Sequence, residues 1–391
     1  MTRHEQPARY MLMLAWLLLA SLATPAAVAA DDASPEQLAQ QAQRLVQELG
    51  SRSFLQRKQA MNQLVKIGLP ALKALEDGSL SSNREISYRC DRVLRVVREL
   101  DLQRRLLAFL RDMDPDKYKL PGWRLFRPVA GESPDSKLVF VEMQKADPEL
   151  MRTAEGSGRE MAALLMQRLL VASRPTTTAG DPLTVGRTSA ILFAAGDPRV
   201  PITQQMAAYV HRMVSNSVVR TAMTGNVGTA DVMRKLLSRW LRRQRDTDPY
   251  VNLLVAMQFD LKESLGFGLK VLEGGKRPSN AQRVALLALN RFGDSKHVQL
   301  AERFLTDSSV VSLTSTKDGR RIRIQLRDIA LATLITLRKQ DHRKFGFPHI
   351  RFDSHGNFQL DSLHFASDED RLAALSKWKE FEQASKEKKS S

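Results

Sequence analysis

Four histidines, His342, His349, His355 and His364, fall in one Phe-rich segment together with Asp341, Asp353 and Asp361. Imidazole and carboxylate are the groups that ligate metals and move protons near neutral pH. Their spacing argues against a zinc site, because no His-x-x-x-His pair and no cysteine stands among them. "DSHGN", Asp353 to Asn357, reads better as a turn between two short strands, since Asp, Gly and Asn supply turn conformations. No metal and no cofactor is expected there. If the chain were a hydrolase-like enzyme, this segment or the irregular middle of the chain would be the place to look.

Other motifs offer less chemistry. His4 lies near the N-terminus, and His211 and His297 stand singly on helical patterns, where a surface or core-edge role is expected. "TAGDPLTVGRT" and "MTGNVGTAD" carry glycines but follow no clear strand and lack the phosphate-loop lysine, so both read as loops. No Gly-x-Ser-x-Gly elbow is present. Asp368, Glu369 and Asp370 open a helix, where carboxylates complement the helix dipole. No nucleophile or general base is expected, and the chain reads as non-enzymatic.

Charge is the remaining signal. Sixty Lys and Arg face 43 Asp and Glu, a net charge of +17. In "ADVMRKLLSRWLRRQRD" the apolar Val232, Met233, Leu236, Leu237, Trp240 and Leu241 share one helical arc. Arg234, Lys235, Arg239, Arg242, Arg243 and Arg245 share the opposite one. The first five are the expected surface for an anionic partner. A second arginine run holds Arg89, Arg92, Arg95, Arg98, Arg104 and Arg105. Either face taken alone is an ordinary solvated helix surface. Together they fit an acidic protein face or an anionic polymer.

The elements that position these residues begin after a leader. Arg3 and Arg9 precede the apolar run "MLMLAWLLLASLA", and small residues follow up to Asp31. This is the layout of a cleavable signal peptide, with cleavage expected near Ala29 or Ala30. The run is short for a membrane span. Loss of residues 1–30 removes two Arg and one Glu and leaves a net charge of +16. An exported chain, periplasmic or extracellular, is thus expected, without nucleic acid as partner and without a membrane span in the mature part. The one cysteine, Cys90, cannot form an intramolecular disulfide and reads as a small core residue.

Beyond the leader, amphipathic helical patterns dominate. Ser34, Pro35 and Glu36 are start signals for the first. "FLQRKQAMNQLVKIGLPALKALED" reads as a helix, a Gly68-Leu69-Pro70 turn and a second helix. Its Ala-x-x-x-Leu-x-x-x-Gly spine, Ala60, Leu64 and Gly68, recurs at Ala285, Leu289 and Gly293. A small residue four before a leucine recurs at Cys90 and Leu94 and at Ala330 and Leu334. "LTVGRTSAILFAAGD" is ambiguous between strand and buried helix, and helix is preferred because its neighbours are helical. Asp318-Gly319, followed by alternating Ile322, Ile324 and Leu326, predicts a small hairpin.

Residues 51–100 and 248–340 resemble HEAT-type repeats. Arg57 and Ala60 stand as such a repeat's first helix would place them, and Asp328 and Ala330 in "RDIALATLITL" do likewise. The chain is similar to exported bacterial HEAT-like proteins of unassigned role. That resemblance implies an α-solenoid used for binding and transfers no catalytic residue.

The expected fold is therefore all-α: a HEAT-like helical-repeat solenoid with a small irregular or β-hairpin C-terminal segment. Its expected parts are a signal peptide (1–30), N-terminal repeats (31–113), a connection (114–134) and an irregular helical region (135–247). C-terminal repeats (248–340), a non-helical Phe-rich segment (341–366) and a terminal helix with a polar tail (367–391) complete it. The expected function is an exported scaffold that binds a protein or an anionic envelope polymer. A hydrolase-like enzyme, or a basic structural protein coating the envelope, are the alternatives.

Overall fold

The computed structural model describes residues 34–173, 183–225, 228–244, 248–274, 277–315, 321–353 and 356–390. The leader, His355 and the Asp318-Gly319 turn lie outside these residues. The fold is all-α with one small antiparallel hairpin. Among the described residues no helix is long and apolar enough to cross a membrane. The chain divides into two compact units, with the boundary between Ala108 and Phe109.

The N-terminal unit is built from α1 (Pro35–Glu48), α2 (Phe54–Ile67), α3 (Leu72–Ser79) and α4 (Arg84–Arg111), whose last residues cross the boundary. Ser34 starts α1 with a full capping box: its Oγ accepts from Gln37 N, and Gln37 Oε1 accepts from Ser34 N at 2.8 Å. Gly68 ends α2 at φ +69°, a conformation that favours glycine, and donates its N–H to Leu64 O. A 3-10 turn at Leu69–Ala71 then leads into α3. "DLQRRLLAFLRDM" extends α4 without a break until Arg111. Ala42, Leu45, Leu49, Ala60, Leu64, Leu75, Cys90, Val93 and Val97 form the unit's core. Phe54, the first residue of α2, is 68% exposed.

The second unit opens with α5 (Trp123–Ala130), α6 (Pro134–Ala146), α7 (Pro148–Thr153), α8 (Gly158–Ala172) and α9 (Val185–Ala195). Then come α10 (Gln204–Val214), α11 (Ser217–Thr224) and α12 (Gly228–Leu241). The stretch 114–134, read as a plain connection, contains α5, whose Trp123, Phe126 and Ala130 are buried. Pro128 within it and Gly131 after it hide the period. α9 is the centre of this part. Gly186 and every residue from Thr188 to Ala195 are buried, because α6, α8 and α12 all pack on it. A Cβ on Gly186 would lie 2.2 Å from Glu142 O, so only glycine permits this approach to α6.

Next follow α13 (Pro249–Gln258), α14 (Glu263–Glu273), α15 (Ser279–Phe292), α16 (Val298–Glu302), β1 (Val310–Ser315), β2 (Arg321–Gln325), α17 (Leu326–Leu337) and α18 (Asp368–Ser390). Successive helices α13, α14, α15 and α17 each pack on the next. Ala60, Cys90, Ala285 and Ala330, the recurring small residues, are all fully buried. The expected hairpin pairs Ser312 with Ile324 and Thr314 with Ile322, with a bulge at Val310 and Ser312. The polar tail continues α18 to Ser390. It contains neither Gly nor Pro, and Ala, Lys and Glu are good helix formers.

Candidate functional site

The arginine face falls on α12 and on Arg242 and Arg243, which follow it. The apolar arc of α12 is as read: Val232, Met233, Leu236, Leu237, Trp240 and Leu241 are all buried. The polar arc is largely turned to the protein's own backbone. Arg234 Nη1 donates to Met223 O at 2.8 Å. Lys235 Nζ lies 3.0 Å from Asp231 and 3.4 Å from Ala130 O. Arg243 donates to Ala195 O and, at 2.7 Å, to Val200 O. Arg239 is half-buried over the Phe193 ring, 5.9 Å from its centroid. Arg242 is the most exposed, at 60%, with Glu263 3.8 Å away. Arg245 lies outside the described residues.

A physical reason connects these contacts. Ala195 ends α9, whose last carbonyls carry the negative end of the helix dipole. Arg239 and Arg243 complement that end. The buried Asp197 stands beside them, held by Arg199 at 2.7 Å. Burial raises the Asp197 carboxyl, but the Arg199 guanidinium and N–H pull it down further, leaving it below the ordinary range. Burial lowers Arg239 and Arg243.

Among the described residues, the C-terminal histidines His342, His349 and His364 do not converge. His342 is half-buried, with Nε2 3.1 Å from both Ala332 O and Thr336 Oγ1 and its ring edge-on to Phe347 and Phe358. His349 is exposed, and His364 Nδ1 lies 2.7 Å from Asp361 O. Asp341 pairs with Arg343, Asp361 with Arg351, and Asp353 accepts from Asn357 N at 2.9 Å. An isolated antiparallel bridge pairs Phe352 with Phe358, on either side of "DSHGN", whose Ser354 and His355 lie outside the described residues. Among the described residues no three His, Cys, Asp or Glu side chains are grouped to hold a metal. His211 Nε2 lies 3.0 Å from Asn252 Oδ1, and His297 Nδ1 accepts from Asp294 N at 3.1 Å.

Charged groups inside the second unit join helices. Arg168 joins Asp147 to Glu149, Arg338 grips Glu382 through two bonds of 2.7 and 2.9 Å, and Arg371 meets Asp328 at 2.7 Å. A cavity of about 200 Å³ lies beside Trp123. Its carboxylates are also engaged, Asp116 by Arg127 at 2.9 Å and Glu155 by Gly122 N at 3.3 Å.

The N-terminal unit carries a different kind of surface. A groove of about 560 Å³ is lined by α1, α3 and the start of α4. Val46, Ala74, Gly78 and Ile86 supply its apolar surface. Gln43, Arg44 and Gln47 reach it from α1, and Asp77 from α3. None of these four polar side chains makes a hydrogen bond or ion pair with a described residue. The volume falls within the ordinary range of ligand sites, roughly 300–1,000 Å³. The arrangement can bind and orient, and it contains no paired nucleophile and base. Sequence reasoning missed it because its walls meet only through the packing of α1 on α3. The one sequence signal is the glutamine pair one turn apart on the exposed side of α1.

Comparison with protein-family profiles, curated proteins and solved structures gives no match in any of the three.

Proposed function

We propose that this chain is an exported, non-enzymatic helical-repeat scaffold of HEAT-like build that binds a protein partner. The observation that carries this is the α1–α3 groove, where Gln43, Arg44, Gln47 and Asp77 remain unspent. In the second unit Arg168, Arg338 and Arg371 are instead engaged in joining helices. The inward commitment of Arg234, Arg239 and Arg243 shifts the weight from an anionic polymer towards a protein. A partner with both donors and acceptors suits a groove of amides and unlike charges better than a polyanion does.

The test is retention of envelope proteins on the immobilised full chain, scored by mass spectrometry at about 0.1 M and about 1 M salt. A helical protein of equal net charge serves as control. A defined protein retained at both salt concentrations, and absent from the control, is expected. Retention that disappears at high salt, or that the control reproduces, would replace the scaffold with a basic coat protein.

A further inference from the structure

We infer that the α1–α3 groove is a site for an extended peptide segment that carries one acidic and one basic side chain. This rests on the scaffold reading and adds its ligand class. Arg44 comes from α1 and Asp77 from α3, and both line the same groove. They are not paired with each other or with any other described residue. Two unlike charges left unspent in one groove are complementary to a ligand that carries the same two signs.

The amides fix the ligand's backbone. Gln43 and Gln47 lie one helical turn apart on one face, about 5–6 Å between Cβ atoms. An extended chain repeats its outward backbone groups every two residues, about 6.8 Å. Each primary amide can both donate and accept, so the pair can meet successive peptide groups of one edge of an extended strand. The apolar surface of Val46, Gly78 and Ile86 offers burial for small side chains between the charged ones. Gly78 fixes the wall behind this surface: Cys90 Sγ and Val46 lie 2.6 and 2.8 Å from where a Cβ would stand, so only glycine lets α3 pack this closely.

The experiment uses the full chain and fluorescein-labelled, end-blocked hexapeptides read by fluorescence anisotropy. One set carries a glutamate and a lysine two or four residues apart, a second carries two glutamates, and a third carries glutamine at both places. The mixed-charge set should bind at least about tenfold more tightly than the neutral set, which corresponds to about 1.4 kcal/mol. Arg44→Gln and Asp77→Asn should each remove that preference and leave neutral peptides unaffected. Asp77→Arg should turn the preference towards the diglutamate set. All three substitutions fall on exposed side chains, and an unchanged urea midpoint confirms folding. Equal binding of all three sets, binding of none, or an unchanged preference in Asp77→Arg would overturn the proposal. If Asp77→Arg still retains the envelope partner at high salt, the scaffold stands and the groove is not its site.

Discussion

Arg371 places its Nε 2.7 Å from Oδ1 of Asp328, 43 residues earlier in the chain, with both side chains almost wholly withdrawn from water. The same guanidinium also reaches Asp368 and Arg323 O. Asp328 meanwhile caps its own helix by accepting from Gln325 N at 2.9 Å. One ion pair thus joins β2, α17 and α18. The two partners are unequal, because Arg371 has a second carboxylate and Asp328 has no second cation within 4.0 Å among the described residues.

That inequality predicts the order of two substitutions. Arg371→Met leaves a buried carboxylate without a counter-charge and should cost about 3–5 kcal/mol. Asp328→Asn leaves Arg371 on Asp368 and should cost about 1–3 kcal/mol. Urea denaturation, with hydrogen exchange in α18 as the local readout, checks the ranking. Equal costs would contradict it.

Gly78 and Cys90 should be energetically coupled. Gly78→Ala brings a methyl against Cys90 Sγ, and overpacking of this kind costs about 1–3 kcal/mol. Cys90→Ala in the same chain removes the colliding sulfur, so the double variant should be more stable than the sum of the singles predicts. Burial pushes the Cys90 thiol up to about 11, so a thiol reagent at mildly alkaline pH should label it only through opening of the unit. Gly78→Ala should accelerate that labelling.

Asp197 should stabilise the end of α9 in a pH-dependent way. Its folded carboxyl lies below the ordinary value, so its contribution is complete above the unfolded pKa, about 3.9, and is lost as pH falls below it. Asp197→Ala at neutral pH should cost about 1–3 kcal/mol, since Arg199 is partly solvated and other contacts hold Arg239 and Arg243. Faster hydrogen exchange of the α9 amides is the measurement.

His211 and His342 give a second window. Burial lowers both, against the opposing bonds to Asn252 and to Ala332 O. Their contribution is full above the unfolded value, about 6.5, and is lost as pH falls from there towards the depressed folded values. The denaturation midpoint should fall between about pH 7 and about pH 5, and His342→Gln should flatten that slope. An unchanged slope would remove His342 from the account.

Helix existence was largely legible in the residues, because amphipathic period and capping residues act locally. Ser34 and Gly68 did what their types dictate. α9 was harder, since a segment buried on all sides has no polar face to reveal its period. α5 escaped because Pro128 interrupts a helix that survives through the burial of Trp123 and Phe126. Among the candidate site residues, Arg234, Lys235, Arg239, Arg242 and Arg243 were expected to face an anionic partner. Their actual partners, the carbonyls of Ala195, Val200 and Met223, belong to other elements and leave no trace in the local pattern. The α1–α3 groove is hidden for the same reason.

The clamps on α18 also impose an order in time. Asp328 and Arg338 are synthesised well before Arg371 and Glu382, which lie 43 and 44 residues further on. Until α18 has been made, Asp328 has no Arg371 to meet it, and closing the core around that carboxylate would bury an unpaired charge at a cost of about 3–5 kcal/mol. Domains ordinarily fold as units during synthesis, the N-terminal one first. The N-terminal unit draws its core from its own four helices and is free to do so. The second unit gains these two clamps only with its final helix, so this part of its stability is added late in the life of the nascent chain.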